Sequence, residues 1–128
     1  MSNASMPDPA LAVFLETVFE RKPRSVTAID VRALTSYAET LVIIEAASRR
    51  QVSSLSEHMI SSLKDKKIKA LGAEGTKEGE WALLDYGDTI IHIFETDARK
   101  FYNLEGLWAD APRIDLSGYG PAEEENGF

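Results

Sequence analysis

The stretch WALLDYGDTIIHIFETDARKFYNLEGLW, from Trp81 to Trp108, decides the fold. Two runs of strand-favouring residues, 81–86 and 89–95, are separated by Gly87 and Asp88. Glycine at the first central position suits a type II′ turn, because glycine adopts positive φ without a steric clash of a Cβ atom. The sequence therefore predicts a β-hairpin that leads into a short helix.

Alternation along the hairpin divides its side chains between two faces. One face is nearly all aliphatic and is expected to pack in the core, with the pairs Ala82–Ile93, Leu84–Ile91 and Tyr86–Thr89. The other face mixes large apolar groups with one carboxylate and one imidazole, as partner surfaces often do. We expect the hairpin to bind another macromolecule, through Trp81, Leu83, Asp85, Tyr86, Ile90, His92 and Phe94. The alternative is one aromatic core under the short helix, and Phe101 and Leu104 are assigned to that core.

Composition limits the class of protein. With 128 residues, of which 44% are hydrophobic, the chain is expected to form one domain. It has no run of about 18 apolar residues and no signal-peptide core, so no membrane partner is predicted. The absence of cysteine excludes disulfides and fits a cytoplasmic protein. A net charge of −7 argues against sequence-independent nucleic-acid binding and allows a basic protein partner.

The rest of the chain predicts two helices and three strands beside the hairpin. Helices are expected over residues 9–21, with Asp8 as N-cap, and from Ser48 to about Lys66, where Ser48 and Gln51 match a capping box. Strands are expected over residues 26–32, 41–46 and 67–71, the last at a sheet edge because it is charged. Residues 73–80 are expected to be a flexible connection. The predicted fold class is α/β, a mixed sheet of about five strands with packed helices.

The ends of the chain are expected to lie outside the domain. Residues 1–5 look like a remnant of an expression tag, with native translation starting at Met6. The domain is then expected over residues 6–111. Residues 112–128 are rich in Gly, Pro and acid, which predicts a mobile tail.

A search for catalytic chemistry predicts no catalytic residue, cofactor or metal. The two histidines, His58 and His92, have no second nitrogen ligand near them in sequence, and a metal site needs about three or four converging ligands. Three aspartates, at positions 30, 85 and 88, are a weak signal for Mg²⁺ in a chain with 21 acids. No glycine-rich phosphate loop follows a strand, and no serine lies in a nucleophile elbow.

The hairpin and its flanks contain a series of residues in a characteristic order along the chain: Glu74-Gly75, Gly79, Trp81, Leu83 to Asp88, His92, Phe94, Arg99, Tyr102, Leu104-Glu105 and Leu107-Trp108. Together with Ile29-Asp30-Val31, Val42-Ile43, Ser48 and Arg50-Gln51, this set resembles the ribosomal silencing factor family, also called RsfS or Iojap-like. The resemblance covers about Leu11 to Trp108. The family usually has an Asp-aromatic pair before the second strand and a glycine after that strand. This chain has Glu39-Thr40 and Ala46 at these positions.

The resemblance implies a fold like a nucleotidyltransferase core without its catalytic residues. It also implies a translational repressor that binds ribosomal protein fourteen of the large subunit and sterically blocks joining with the small subunit when nutrients are scarce. Such a factor is not an enzyme and reads no nucleic-acid sequence directly. The alternatives are an assembly factor for the large subunit that uses the same contact, and a nucleotide-binding enzyme of the nucleotidyltransferase type. An exposed apolar hairpin face would also allow a homodimer of the free chain.

Overall fold

The structure, a computed structural model, describes residues 9–119. Along the chain it contains α1 (Pro9–Phe19), β1 (Ser25–Asp30), β2 (Thr40–Ala46), α2 (Arg49–Asp65), β3 (Gly72–Glu74), β4 (Trp81–Asp85), β5 (Thr89–Glu95), α3 (Thr96–Tyr102) and α4 (Leu104–Leu107). The expected tag remnant, the expected N-cap Asp8 and positions 120–128 of the expected tail lie outside the described residues.

The five strands form one mixed sheet in the order β1-β2-β5-β4-β3. Strands β2 and β5 are parallel, and the other neighbouring pairs are antiparallel. The predicted α/β class is therefore confirmed. The long connection through α2 lets β5 return beside β2 in the same direction, as parallel pairing requires.

The predicted edge strand at residues 67–71 is wrong, and β3 forms the edge of the sheet beside β4. The helix α2 ends at Asp65, and the N–H of Ile68 still bonds back to the carbonyl of Leu63 at 2.8 Å. Residues 66–71 therefore complete the helix end and cross to the sheet. Part of the expected flexible connection is ordered instead. Gly75 lies so close to β4 that an added Cβ atom would be 2.1 Å from the carbonyl oxygen of Trp81. Only glycine permits that approach.

The larger core lies between one face of the sheet and the helices α1 and α2. Ser48 caps α2 as predicted, because its hydroxyl accepts from the N–H of Gln51 at 3.1 Å. The Gln51 side chain accepts from the N–H of Ala47, one residue earlier than the capping box predicts. Burial of aliphatic side chains stabilises this layer, and its main members are Leu11, Leu15, Val18, Val42, Ile44, Val52, Leu55, Met59, Leu63, Ala82, Leu84, Ile91 and Ile93.

A smaller core lies on the opposite face of the sheet, against α3, α4 and the segment after them. Its buried members include Ile29, Leu41, Ile43, Ile90, Phe94, Ala98 and Ala111, with Leu104 and Trp108 packed against them. This cover leaves part of β4 open, because Trp81 and Leu83 are only partly buried. The open part of β4 is the start of the candidate site.

The segment after residue 111, where the domain is expected to end, packs on the sheet and the larger core as far as Tyr119. The N–H of Asp30 donates to the carbonyl of Pro112, and the N–H of Ile114 donates to that of Ala28, both at 2.9 Å. Ile114 is buried, and Tyr119 packs against the larger core. Among residues 9–119, none of the helices is both long and apolar enough to span a membrane.

Candidate partner-binding site

The predicted hairpin and its register are confirmed. Ala82 pairs with Ile93 and Leu84 with Ile91. Gly87 has φ of +88°, as the first central residue of a type II′ turn requires. A carboxylate oxygen of Asp85 accepts from the N–H of Gly87 at 2.8 Å and so stabilises the turn. The turn therefore sets which side chains share a face.

Six of the seven predicted contact residues lie on one face of the sheet, at two different depths. Trp81, Leu83 and Asp85 on β4 are partly exposed. Their partners across the hairpin are Phe94, His92 and Ile90 on β5, and all three are buried. Phe94 and Ile90 have almost no exposed surface, so these two side chains form part of the core on which the exposed β4 side chains pack.

Tyr86, the seventh predicted residue, lies on the opposite face. Its ring packs against Phe14 of α1, with a centroid distance of 5.1 Å. Its hydroxyl is buried without a hydrogen-bond partner in the described part of the chain, and burial raises the pKa of Tyr86. The structure therefore does not bring Tyr86 together with the other six.

An aromatic row extends from the buried core to the surface. The ring of Trp81 stacks on Phe94 at 4.9 Å between centroids and contacts Tyr102 at 4.6 Å. Tyr102 in turn contacts Phe101 edge to face at 5.0 Å. Exposure rises along the row, from 0% at Phe94 to 43% at Tyr102 and 80% at Phe101. We call Trp81, Leu83, Phe101 and Tyr102 the aromatic patch.

Phe101 was expected in the core, and this expectation is wrong. The helix α3 has only two turns and buries only Ala98. Tyr102 lies over Trp81, and the neighbouring Phe101 is rotated by about 100° around the helix, toward solvent. Leu104 does pack against the smaller core, as expected. Large exposed apolar side chains on one surface are typical of a binding site.

A hydrogen bond fixes the orientation of Trp81. Its indole Nε1–H donates to Nδ1 of His92 at 3.0 Å. Because the indole nitrogen is only a donor, Nδ1 must be the acceptor and the neutral ring carries its proton on Nε2. Burial lowers the pKa of His92 to about 4, so the ring is neutral at pH 7. His92 is thus a structural support of the patch.

An ionic network that the sequence analysis did not identify holds α3 and α4 against the sheet. The guanidinium of Arg99 donates to both carboxylate oxygens of Glu105, and to Glu45 at 2.6 Å and the hydroxyl of Ser25 at 2.5 Å. Hydrogen bonding to Glu105, and then to Glu45, raises the pKa of Arg99 against the effect of burial. Burial alone would raise the pKa of Glu45, but hydrogen bonds from Thr96 and Arg99 outweigh it and lower that pKa. The network fixes the helix that carries Phe101 and Tyr102.

The acidic residues near the patch differ in how far they are engaged within the chain. Glu105 is paired with Arg99, and the carboxylate of Glu95 accepts from the N–H of Ala98 as the N-cap of α3. Asp85 stabilises the hairpin turn, and Asp88 is exposed beside it. The negative charge that remains exposed at this end of the hairpin is therefore that of Asp88, beside the turn.

The remaining candidate residues show no metal site. Among residues 9–119, no group of three or more His, Asp or Glu side chains is arranged to hold a metal ion. Asp30 pairs with Arg32, and this hydrogen bond lowers the pKa of Asp30 despite burial. Nε2 of His58 lies 3.2 Å from the carbonyl oxygen of Thr17 and 3.0 Å from the carboxylate of Glu20. His58 therefore links α2 to the end of α1.

The fold is a mixed α/β sheet with helices on both faces, and it exposes the aromatic patch beside β4. Comparison with known proteins identifies its family. Residues 4–127 match the family model described as "Ribosomal silencing factor during starvation". The chain belongs to the ribosomal silencing factor family, whose members are regulatory proteins associated with the ribosome.

Relatives and a solved structure agree with this assignment. The chain is 30% identical to the ribosomal silencing factor of Halalkalibacterium halodurans, over 92% of this chain and 97% of the relative. It is 37% identical to that of Haemophilus influenzae, over 78% and 99%. A mouse protein named "Mitochondrial assembly of ribosomal large subunit protein 1" is 25% identical over 70% of this chain and 40% of its own length. A crystal structure of a Chromobacterium violaceum protein has a TM-score of 0.75 and 28% identity, and covers 81% of this chain and 88% of its own.

Proposed function

We propose that this chain binds the large ribosomal subunit through ribosomal protein fourteen and blocks joining with the small subunit. Protein synthesis then falls when nutrients are scarce. The observation that carries the proposal is the aromatic patch, in a chain that belongs to the ribosomal silencing factor family. Aromatic side chains at the centre of an interface often supply most of its binding free energy. The mechanism is steric occlusion in the cytoplasm, without catalytic turnover.

The predicted contact residues have two different roles in this proposal. Trp81, Leu83 and Asp85 contact the partner directly, and Phe101 and Tyr102 extend that contact along α3. The buried residues Ile90, His92 and Phe94 hold the contact residues in place and do not themselves touch the partner. Tyr86 acts from the other face, where it packs the hairpin against α1.

Rigidity of the patch supports binding. Trp81 is held by stacking on Phe94, by a tilted ring contact with Tyr102 and by its hydrogen bond to His92. An anchor that is already ordered loses little conformational entropy on binding, so more of its contact energy contributes to affinity. The exposed negative charge of Asp88 complements a basic, RNA-associated partner and favours rapid encounter.

Assembly of the large subunit is a second candidate function, because the mouse relative is named for it. The same contact would serve both functions, since a factor bound to the joining face of a precursor also blocks joining. Ribosome profiles of cells that lack the chain separate them. A repressor leaves large subunits mature and raises translation during starvation, whereas an assembly factor leaves precursor particles.

Co-sedimentation with purified ribosomal subunits tests the proposed function. The chain should sediment with large subunits and not with small subunits, and isolated ribosomal protein fourteen should compete for it. Sedimentation velocity of the free chain, with Trp81→Ala as the comparison, tests whether the patch also pairs two copies. Failure to sediment with large subunits, together with nucleotide binding in calorimetry, would favour the nucleotidyltransferase alternative.

A further inference from the structure

A compact basic segment lies at the end of α2 in this acidic protein. Residues 64–69, KDKKIK, contain four lysines and one aspartate, so their net charge is +3 in a chain of net charge −7. All four lysines, Lys64, Lys66, Lys67 and Lys69, are exposed. Like charges repel one another when they are this close, so the cluster itself does not stabilise the fold.

Three of these lysines have no ionic partner within the described part of the chain. Nζ of Lys66 reaches the hydroxyl of Thr17 at 3.4 Å. Lys64, Lys67 and Lys69 form no ion pair with any residue between positions 9 and 119. Lys64 is in the last turn of α2, where a cation complements the helix dipole. That explanation does not extend to Lys67 and Lys69, which lie beyond the helix.

Lys67 occupies a position that favours glycine. Its φ is +67°, in the left-handed region. The N–H of Lys67 bonds to the carbonyl of Lys64, and the N–H of Ile68 bonds to that of Leu63, both at 2.8 Å. These two bonds form a Schellman motif, in which the left-handed residue is usually glycine because a Cβ atom is unfavourable there. Lysine at this position therefore costs stability relative to glycine, and strained residues of this kind are often found at functional sites.

The basic segment lies near the turn end of the hairpin. Leu71, two residues after the segment, is 75% exposed, and its N–H donates to the carbonyl of Asp85 at 2.7 Å. Asp85 is a contact residue of the proposed site, and the hairpin turn follows it. The lysines therefore lie on the α2 side of the sheet near the hairpin turn, so a partner that covers both the turn and the end of α2 would reach them.

We infer that Lys64, Lys67 and Lys69 bind the phosphate backbone of ribosomal RNA beside the protein contact, an inference that rests on the proposed function. Lysine ammonium groups bind phosphates as point charges and read no sequence. An RNA-rich particle supplies closely spaced phosphates, whereas the chain's net charge of −7 opposes binding to RNA elsewhere. The lysines thus add a local, salt-sensitive contact to the aromatic patch.

Lys67→Gly tests this inference, because it should change stability and binding in opposite directions. Glycine relieves the left-handed strain, so the melting temperature should rise. Loss of one phosphate contact should weaken binding to large subunits by roughly three- to tenfold at physiological salt and reduce the slope of log K against log salt by about 1. Lys67→Arg, which keeps the charge, should bind like the wild type. Lys77→Gln removes one exposed lysine elsewhere and is the matched control.

The outcomes separate this inference from the proposed function. If the wild type binds large subunits and Lys67→Gly binds equally well with the same salt slope, the RNA contact is wrong and the proposed function stands. If Lys67→Gly also binds isolated ribosomal protein fourteen more weakly, the lysines contact protein and the RNA contact is again wrong. If the wild type does not bind large subunits at all, the proposed function fails, and the inference fails with it.

Discussion

Replacing Trp81 with alanine should weaken binding to large subunits by about 2 kcal/mol, or about thirtyfold in Kd. The magnitude follows from the exposed part of the ring. A tryptophan side chain buries up to about 250 Å², and Trp81 is partly buried already, so a partner covers on the order of 80 Å². At about 25 cal/mol per Å², this area corresponds to about 2 kcal/mol.

Equilibrium titration of labelled chain with purified large subunits measures the change in Kd. Trp108→Ala is the matched control, because Trp108 packs against the same small core outside the aromatic patch. Both substitutions should lower the free energy of unfolding, and only Trp81→Ala should weaken binding. A folded Trp81→Ala variant with the wild-type Kd, or an equal loss in Trp108→Ala, would refute the reasoning.

Three other perturbations test how the patch is held. Burial lowers the pKa of His92 from 6.5 to about 4, so the contribution of His92 to the free energy of unfolding should be constant above pH 6.5 and fall by about 3 kcal/mol toward pH 4. Urea unfolding at several pH values should show a shallower fall in His92→Gln, and equal slopes would contradict this. Arg99→Ala should lower the free energy of unfolding by about 2 kcal/mol, because Glu105 loses its cation and Glu45 keeps only Arg24, at 3.6 Å. An unchanged urea midpoint would show that the network does not stabilise the fold. A chain that ends at Tyr119 should keep its melting temperature, and one that ends at Ala111 should lose several degrees because a buried isoleucine is removed. Equal melting temperatures would contradict the packing of that segment.

The hairpin could be predicted from the sequence because its signals are local. Alternation sets the faces, and the glycine at position 87 sets the turn and hence the register. The depth of each side chain could not be predicted in the same way. The alternation of the strands places Trp81 and Phe94 on the same face of the sheet, yet α3 and α4 cover Phe94 and leave Trp81 partly exposed to solvent. Which part of a sheet a later helix covers depends on tertiary packing.

Other features could not be predicted from the sequence for separate reasons. Residues 67–71 alternate like a strand, but the Schellman bonds at the end of α2 commit them to a crossing segment. The network around Arg99 joins residues up to 74 positions apart, and no spacing in the sequence indicates it. The segment after Ala111 has the composition of a tail, yet two backbone hydrogen bonds and Ile114 attach it to the sheet.

Formation of complete ribosomes from purified subunits tests the central claim most directly. Light scattering follows the joining of large and small subunits in the presence of increasing amounts of the chain. The proposal predicts that joining falls as the large subunits become occupied, that Trp81→Ala needs about thirty times more protein for the same effect, and that Trp108→Ala acts like the wild type. Normal joining with large subunits that are fully occupied by the chain would contradict the proposed mechanism.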